Sequence, residues 1–250
     1  EVTDKAYSAT WNRVVRECIG RIRALAPKTV ILVGSYWNNH ASAVKDMDPP
    51  YDDRVVYNFH CYDPLVYTHQ FAPWVSPAQA DVNHKIPYAE AGATPEYFED
   101  LFAEAIACAE KNDTVLYCGE YGVIDLAEPE DAVKWYRCIS RVFDEYGIGR
   151  AAWSYKEMDF GFVDAVYDDV RDELIVSVKL HGGEFFSSRD FLYVSGGNAD
   201  DDKRENHDDA ENESECLAHE FVPLSYIILY FDKLLIQFRA TLVKNKSLHK

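Results

Sequence analysis

Hydrophobic residues recur at helical spacing in some segments of the chain and form short continuous runs in others. Between residues 7 and 26 they recur every three or four positions and Pro27 follows, which predicts an amphipathic helix. The next segment, 28–34, is a β-branched apolar run that predicts a strand. The same alternation predicts three further strands and two further helices, namely strands at 54–60, 114–118 and 150–154 and helices that begin at 95 and 129. Strands that alternate with helices predict an α/β fold around a parallel sheet.

Polar and aromatic residues follow the predicted strands where turn-forming residues are usual. His60 and Tyr62 end the second strand, Glu120 follows the third and Trp153 lies in the fourth. Because the carboxyl ends of parallel strands meet at one edge of a sheet, we expect these side chains to lie together. A carboxylate, an imidazole, a phenol donor and an aromatic surface for stacking are together suited to binding a sugar ring. The alternative for Glu120 alone is a solvated loop glutamate.

The connection 61–93 is longer than βα loops usually are, and it is rich in aromatic residues. Loops of this kind often shape a binding cleft. Trp74 in this connection and Trp37 after the first strand are candidates for stacking on further sugars. A loop packed on itself is the equal alternative for both tryptophans.

The alternation of strands and helices is lost beyond about residue 178. The segment 198–220 is rich in Asp and Glu and predicts a disordered linker. The segment 221–243 is strongly apolar, but Asp232 and Lys233 interrupt it, so a buried or aggregation-prone helix is favoured over a membrane anchor. The sequence therefore predicts two parts, an α/β domain at 1–178 and an unrelated tail at 179–250.

The composition restricts the partners of this chain. Its 25 Lys and Arg against 43 Asp and Glu give a formal net charge of −18, which repels nucleic acid and anionic membranes and leaves neutral substrates open. The 6 cysteines include no CxxC pair, so neither a metal site nor a disulfide framework is predicted, and no cofactor is expected. The chain opens on Glu1 with no basic and apolar leader, so any targeting segment lies upstream and both a secreted and a cytoplasmic location stay open.

Three segments of the chain resemble a known family of hydrolases. The sequences YNFHCYD at 57–63, YCGEYGV at 117–123 and AWSYK at 152–156 resemble strands six, seven and eight of the cellulase-like glycoside hydrolases of family 5, which are retaining (β/α)8-barrel enzymes. The resemblance covers residues 1 to about 178. It implies a partial (β/α)8 TIM barrel, from about strand four or five to strand eight, followed by a divergent and partly disordered C-terminal tail.

The resemblance also implies roles for individual residues. Glu120 takes the place of the catalytic nucleophile, and Glu1 takes the place of the acid/base glutamate at the end of strand four. His60 and Tyr62 would orient the nucleophile and the substrate, and Trp153 would form the floor of the subsite for the attacked sugar. The implied function is that of a retaining endo-type β-glycosidase, which would hydrolyse a β-glucan or related glycan by double displacement with two glutamates. An oligosaccharide or polysaccharide is the expected partner.

The chain also departs from the family pattern, which keeps other interpretations open. Counterparts of strands one to three are not found, so the activity of this chain alone is left open. A non-catalytic carbohydrate-binding module or inactive half-barrel is the first alternative. A structural α/β domain that pairs with a partner chain is the second. Open barrel edges also predict self-association.

Overall fold

The computed structural model describes residues 2–178 of the 250-residue chain. Glu1, the acidic segment 198–220 and the apolar segment 221–243 therefore lie outside the described residues. Four parallel strands form one sheet, in which the spatial order is the chain order. The strands are β1 Ile31–Gly34, β2 Val55–Cys61, β3 Leu116–Tyr121 and β4 Gly149–Arg150.

Helices precede and connect the strands, as the sequence pattern predicts. The α-helices are α1 Ser8–Leu25, α2 Tyr36–Asn39, α3 Leu65–Thr68, α4 Pro95–Lys111, α5 Pro129–Tyr146 and α6 Arg171–Val178. Short 3-10 turns occur at Lys5–Tyr7, Ala41–Asp46, Tyr88–Glu90 and Ala165–Tyr167. None of the helices within residues 2–178 has both the length and the apolar composition of a membrane span.

Local signals in the sequence explain where the two long connecting helices begin and end. The side chain of Thr94 accepts a hydrogen bond from the Tyr97 backbone N–H and caps α4 ahead of Pro95. Pro129 occupies the first turn of α5, and Gly147 ends that helix in the left-handed conformation at φ 65°. These residues set the start of α4 and both ends of α5.

The core lies between the sheet and helices α4 and α5. Phe59 of β2 packs on Phe102 of α4 with ring centroids 5.1 Å apart, and Phe102 stacks on Phe143 of α5 at 5.6 Å. The sequence predicts core positions for Tyr57, Phe59, Trp135 and Phe143, and all four are fully buried. Burial of large aromatic side chains contributes much of the stability of such a layer. The opposite face of the sheet carries less buried side chains.

The fourth strand is shorter than the predicted segment 150–154. Only two residues form the β4 ladder, although the backbone N–H of Trp153 still donates to Tyr121 O at 3.0 Å. After that contact the chain turns away, because Ser154 N donates to Phe160 O at 3.1 Å and leaves the strand direction. The chain therefore runs beside β3 as far as Trp153 and then folds into a loop.

Candidate active site

The carboxylate of Glu120 is the centre of a polar cluster at the carboxyl ends of β2 and β3. The hydroxyl of Tyr62 donates a hydrogen bond to Glu120 Oε2 at 3.1 Å. Nδ1 of His60 lies 3.4 Å from the same oxygen. The Glu120 side chain is 32% exposed and that of His60 is 13% exposed, so the carboxylate can be reached from solvent while its neighbours are held in place. The structure brings together three of the predicted site residues.

An irregularity in strand pairing sets the direction of the Glu120 side chain. Phe59 pairs with Cys118 and His60 pairs with Glu120, so Gly119 is an extra residue in β3. A Cβ atom at Gly119 would lie 2.4 Å from Asn58 Oδ1, so a larger residue would force a shift. The extra residue places His60 and Glu120 side by side.

Both neighbours of Glu120 contact the same carboxylate oxygen. The Tyr62 hydroxyl donates to Oε2, and His60 Nδ1 lies against the same atom. A carboxylate that is held in this way at an accessible edge of the sheet is suited to nucleophilic attack.

Trp153 lies at the same edge of the sheet, directly after β4. The hydrogen bond from its backbone N–H to Tyr121 O aligns it with the end of β3, and the residue is 37% exposed. The carbonyl oxygen of Trp153 packs against Gly122, where a Cβ atom would lie only 2.5 Å from it. The position of Trp153 therefore depends on the glycine that follows the Glu120–Tyr121 pair.

Trp74 lies farther out, at the end of a series of ring contacts. The ring of Tyr62 contacts that of His69 at 5.2 Å, and His69 contacts Trp74 at 6.2 Å. Phe160 contacts both Tyr62 and His69, at 5.6 and 5.3 Å. Trp74 is 52% exposed, so its ring is available to a ligand that extends away from Glu120.

Trp37 follows β1 and is surrounded by two other side chains. Its backbone has a φ of 54°, and Nζ of Lys5 lies 3.2 Å from the centre of its ring. The ring of His40 lies 4.7 Å away. The Lys5 ammonium therefore covers one face of the Trp37 ring, the residue predicted to stack on a sugar. The backbone N–H of Asn38 donates to Val2 O at 2.9 Å, which places the first described residue at this edge of the sheet.

A second polar pair, His40 and Asp63, lies at this edge and was not predicted from the sequence. Nε2 of His40 lies 3.8 Å from Asp63 Oδ2, and His40 forms an isolated parallel bridge with His60. Burial raises the pKa of the Asp63 carboxyl, while the facing His40 and the Tyr97 hydroxyl oppose that shift. Asp63 could have been found from the sequence, because it lies two residues after the end of β2. No comparable local feature marks His40.

Cysteines lie in the strands that carry the site, but on their buried side. Burial raises the pKa of both the Cys61 and the Cys118 thiol, so they stay protonated. The Cys118 thiol donates to Glu120 O at 3.2 Å. Within residues 2–178, His, Cys, Asp and Glu side chains form no group of three or more that could hold a metal ion.

Comparison with known proteins identifies similar sequences. A family model described as Cellulase (glycosyl hydrolase family 5) matches residues 1–159. Cellodextrinase A of Ruminococcus flavefaciens is 49% identical over 152 residues, which are 60% of this chain and 44% of that protein. Endoglucanase C of Acetivibrio thermocellus is 32% identical over 191 residues, which are 67% of this chain and 55% of that protein. The chain thus spans about half the length of the curated relatives it matches.

Solved structures share the fold of the described residues. Thermotoga maritima Cel5A in complex with mannotriose has a TM-score of 0.60 at 22% identity, over 69% of this chain and 55% of that one. A hyperthermophilic endo-β-1,4-glucanase in complex with substrate has a TM-score of 0.56 at 27% identity, over 63% of this chain and 50% of that one. The parallel sheet and its helices are therefore part of a (β/α)8 TIM barrel.

Proposed function

Because the chain belongs to glycosyl hydrolase family 5, we propose that it serves as a retaining endo-type β-glycosidase that acts on a β-glucan or a related glycan. The observation that carries this proposal is the contact of Tyr62 and His60 with one oxygen of Glu120 at the carboxyl edge of the sheet. In a retaining enzyme a carboxylate acts as the nucleophile and must be within reach of the anomeric carbon. The 32% exposure of the Glu120 side chain, together with its contacts through Oε2, supports this role.

Glu120 carries the first step in this proposal. One carboxylate oxygen attacks the anomeric carbon, the bond from that carbon to the leaving oxygen breaks, and a covalent glycosyl ester forms. The leaving oxygen takes the bonding electron pair and a proton from a second carboxyl group. Tyr62 and His60 hold the attacking carboxylate in place before attack.

Glu1 supplies the second carboxyl group in this proposal. It protonates the leaving oxygen in the first step and removes a proton from the attacking water in the second. Glu1 itself lies outside the described residues. The hydrogen bond from Asn38 to Val2 supports the assignment, because it holds the residue next to Glu1 at the edge where Glu120 lies.

Aromatic side chains bind the sugars in this proposal. Trp153 forms the floor of the subsite for the attacked sugar, next to the end of β3. Trp74 stacks on a sugar farther along the chain, beyond His69. Trp37 serves a third position, and the Lys5 ammonium must leave its ring before a sugar stacks there. Each good aromatic contact contributes about 1 kcal/mol.

The names of the relatives support a β-glucan as the substrate. The 49% identical relative is called a cellodextrinase and the 32% identical relative an endoglucanase. A neutral glycan also fits a chain with a formal net charge of −18, since no charge repulsion opposes its approach.

A covalent trap tests Glu120 without relying on Glu1. In 2,4-dinitrophenyl 2-deoxy-2-fluoro-β-cellobioside the aryl oxygen leaves as a stabilised phenolate, so no proton donor is needed. The Glu120 carboxylate bonds to the anomeric carbon, the carbon–oxygen bond to the aryl group breaks and dinitrophenolate departs with the electron pair. We expect a stoichiometric burst of dinitrophenolate and a labelled peptide that contains Glu120.

The variants Glu120→Gln and Glu157→Gln form a matched pair. Glu157 lies in the loop after Trp153 and its side chain is 76% exposed. We expect Glu120→Gln to abolish labelling and Glu157→Gln to label at the wild-type rate. A label on another carboxylate, or no label at all, contradicts the proposal. Binding of cellotetraose without any labelling favours the carbohydrate-binding alternative.

A further inference from the structure

The hydroxyl of Tyr62 can serve Glu120 only if the Tyr62 ring is held in one orientation. Tyr62 lies one residue beyond the end of β2, so strand pairing does not fix it. Its ring is instead packed against two others, His69 at 5.2 Å and an interplanar angle of 81°, and Phe160 at 5.6 Å and 64°. His69 and Phe160 also contact each other at 5.3 Å. The three rings form a closed triangle.

His69 is fixed in this triangle by its backbone and by its ring. Its backbone N–H donates to Leu65 O at 3.0 Å and its carbonyl accepts from Ala72 N at 2.9 Å. The Thr68 hydroxyl donates its single proton to the Tyr62 carbonyl, and its oxygen lies 3.1 Å from His69 Nδ1. Because that proton is already used, Nδ1 of His69 must be the donor to Thr68. The contact therefore defines the tautomer, with Nε2 unprotonated.

Burial keeps the imidazole uncharged. His69 is only 9% exposed, and burial lowers its pKa to about 4. An uncharged ring packs against Tyr62 and Phe160 without the cost of a buried cation. The His69 ring contacts Tyr62, and the Tyr62 hydroxyl contacts Glu120, so these two contacts connect the imidazole to the carboxylate.

We propose that His69 is a positioning residue, whose ring packs against Tyr62 and keeps the Tyr62 hydroxyl on Glu120 Oε2. This inference rests on the proposed function, because it assigns Glu120 as the nucleophile. Trp74 contacts His69 from the outer side, so the same imidazole joins the exposed aromatic surface to the residues around the nucleophile.

Two substitutions at His69 separate the ring from its hydrogen bond. His69→Phe keeps a ring against Tyr62 and loses the donor to Thr68. His69→Asn keeps an N–H donor near the Nδ1 position and loses the ring. We expect His69→Asn to slow labelling by the dinitrophenyl fluoroglycoside about 10-fold, as for loss of one hydrogen bond to a charged group, and His69→Phe to stay within about 3-fold of wild type. His84→Ala, an exposed histidine of the same connection, is the control.

A double-mutant cycle with Tyr62→Phe provides the decisive readout. We expect His69→Asn to have no further effect on the labelling rate in the Tyr62→Phe background, because the hydroxyl that His69 positions is gone. Equal effects in both backgrounds overturn the inference while the proposed function stands. Failure of the wild-type chain to label overturns the proposed function instead.

Nuclear magnetic resonance tests the ring packing independently of labelling. We expect the ¹⁵N shifts of His69 to show the Nδ1–H tautomer, and His69→Asn to move the ring resonances of Tyr62. Unchanged Tyr62 resonances in that variant overturn the inference whether or not the chain labels.

Discussion

The Tyr62 hydroxyl donates to Glu120 Oε2 at 3.1 Å across two neighbouring strands, although the two residues are 58 positions apart in the chain. The pairing of β2 with β3 makes this contact, since His60 and Glu120 lie opposite each other in the ladder. The hydroxyl and the carboxylate are therefore placed by the sheet, and the details of their contact depend on the rings behind Tyr62.

Loss of the Tyr62 hydroxyl is expected to reduce the reactivity of Glu120. A hydrogen bond to a charged group contributes about 1.5–3 kcal/mol, so Tyr62→Phe should slow labelling about 10- to 100-fold. The measurement is the burst rate of dinitrophenolate. Tyr146→Phe, at an exposed tyrosine at the end of α5, should leave the rate unchanged. A Tyr62→Phe rate within twofold of wild type would contradict the assigned role.

Removal of the Trp153 ring is expected to weaken sugar binding. Trp153→Ala should raise the concentration of cello-oligosaccharide needed for half-saturation about 5-fold, which corresponds to about 1 kcal/mol for one aromatic contact. Titration followed by tryptophan fluorescence or calorimetry measures the change. An unchanged affinity in Trp153→Ala would show that Trp153 is not part of the site. Trp74→Ala should lower the affinity only for oligosaccharides that are long enough to reach Trp74.

Gly122 is expected to tolerate no side chain. In Gly122→Ala the new methyl group would lie 2.5 Å from the Trp153 carbonyl oxygen. This oxygen belongs to the backbone, so it cannot rotate away as a side chain could. We expect a loss of about 1–3 kcal/mol in the free energy of unfolding, as for other overpacked sites, together with weaker sugar binding. Chemical denaturation measures the first effect.

Gly20→Ala is the matched control for that variant. Gly20 lies in α1, and an added Cβ would have its nearest neighbour at 3.6 Å, an ordinary contact distance. Alanine in a helix is favoured over glycine by about 0.5–1 kcal/mol, so this variant should be at least as stable as wild type. Equal losses in both variants would show that the Trp153 carbonyl is not the cause.

The order of strands and helices could be predicted from the sequence because the boundaries of the long helices have local causes. Examples are Pro129 in the first turn of α5 and Gly147, which ends that helix. The length of β4 was predicted wrongly, since the turn at Ser154 depends on a hydrogen bond to Phe160 in a later loop. Contacts of that kind leave no periodic signal.

The site shows the same division between local and distant causes. Placement of Glu120 and Tyr62 at strand ends could be predicted from the strands themselves. The extra residue Gly119 could not, because hydrophobic alternation does not reveal how two strands are aligned. The Lys5 ammonium on the Trp37 ring joins residues whose approach depends on how α1 and the preceding turn pack.

Acid is expected to destabilise the fold through His69. Its pKa is about 4 in the folded chain and 6.5 ordinarily, so below pH 6.5 the unfolded chain binds a proton that the folded chain does not. The uncharged His69 ring contributes about 3 kcal/mol to the free energy of unfolding. This contribution is complete above pH 6.5 and is lost as the pH falls to about 4. Between pH 7 and pH 4 the free energy of unfolding should therefore fall less for His69→Phe than for wild type. An equal fall in the two proteins would contradict this prediction.

Self-association is expected from the edges of the sheet. Within residues 2–178, β1 and β4 each pair on one side only, and unpaired strand edges favour association. Size-exclusion chromatography with light scattering should show a mass that rises with protein concentration. A monomer at every concentration would contradict this prediction.

The extra residue at Gly119 also limits how this part of the molecule can be exchanged with a relative. Over the paired stretch, β3 uses one residue more than β2 to reach the carboxyl edge of the sheet. A chimaera whose crossover separates Gly119 from Glu120 can inherit a strand of the wrong length, and every later side chain in it then changes face. Segment Leu116–Tyr121 should therefore be transferred as one unit together with its β2 partner.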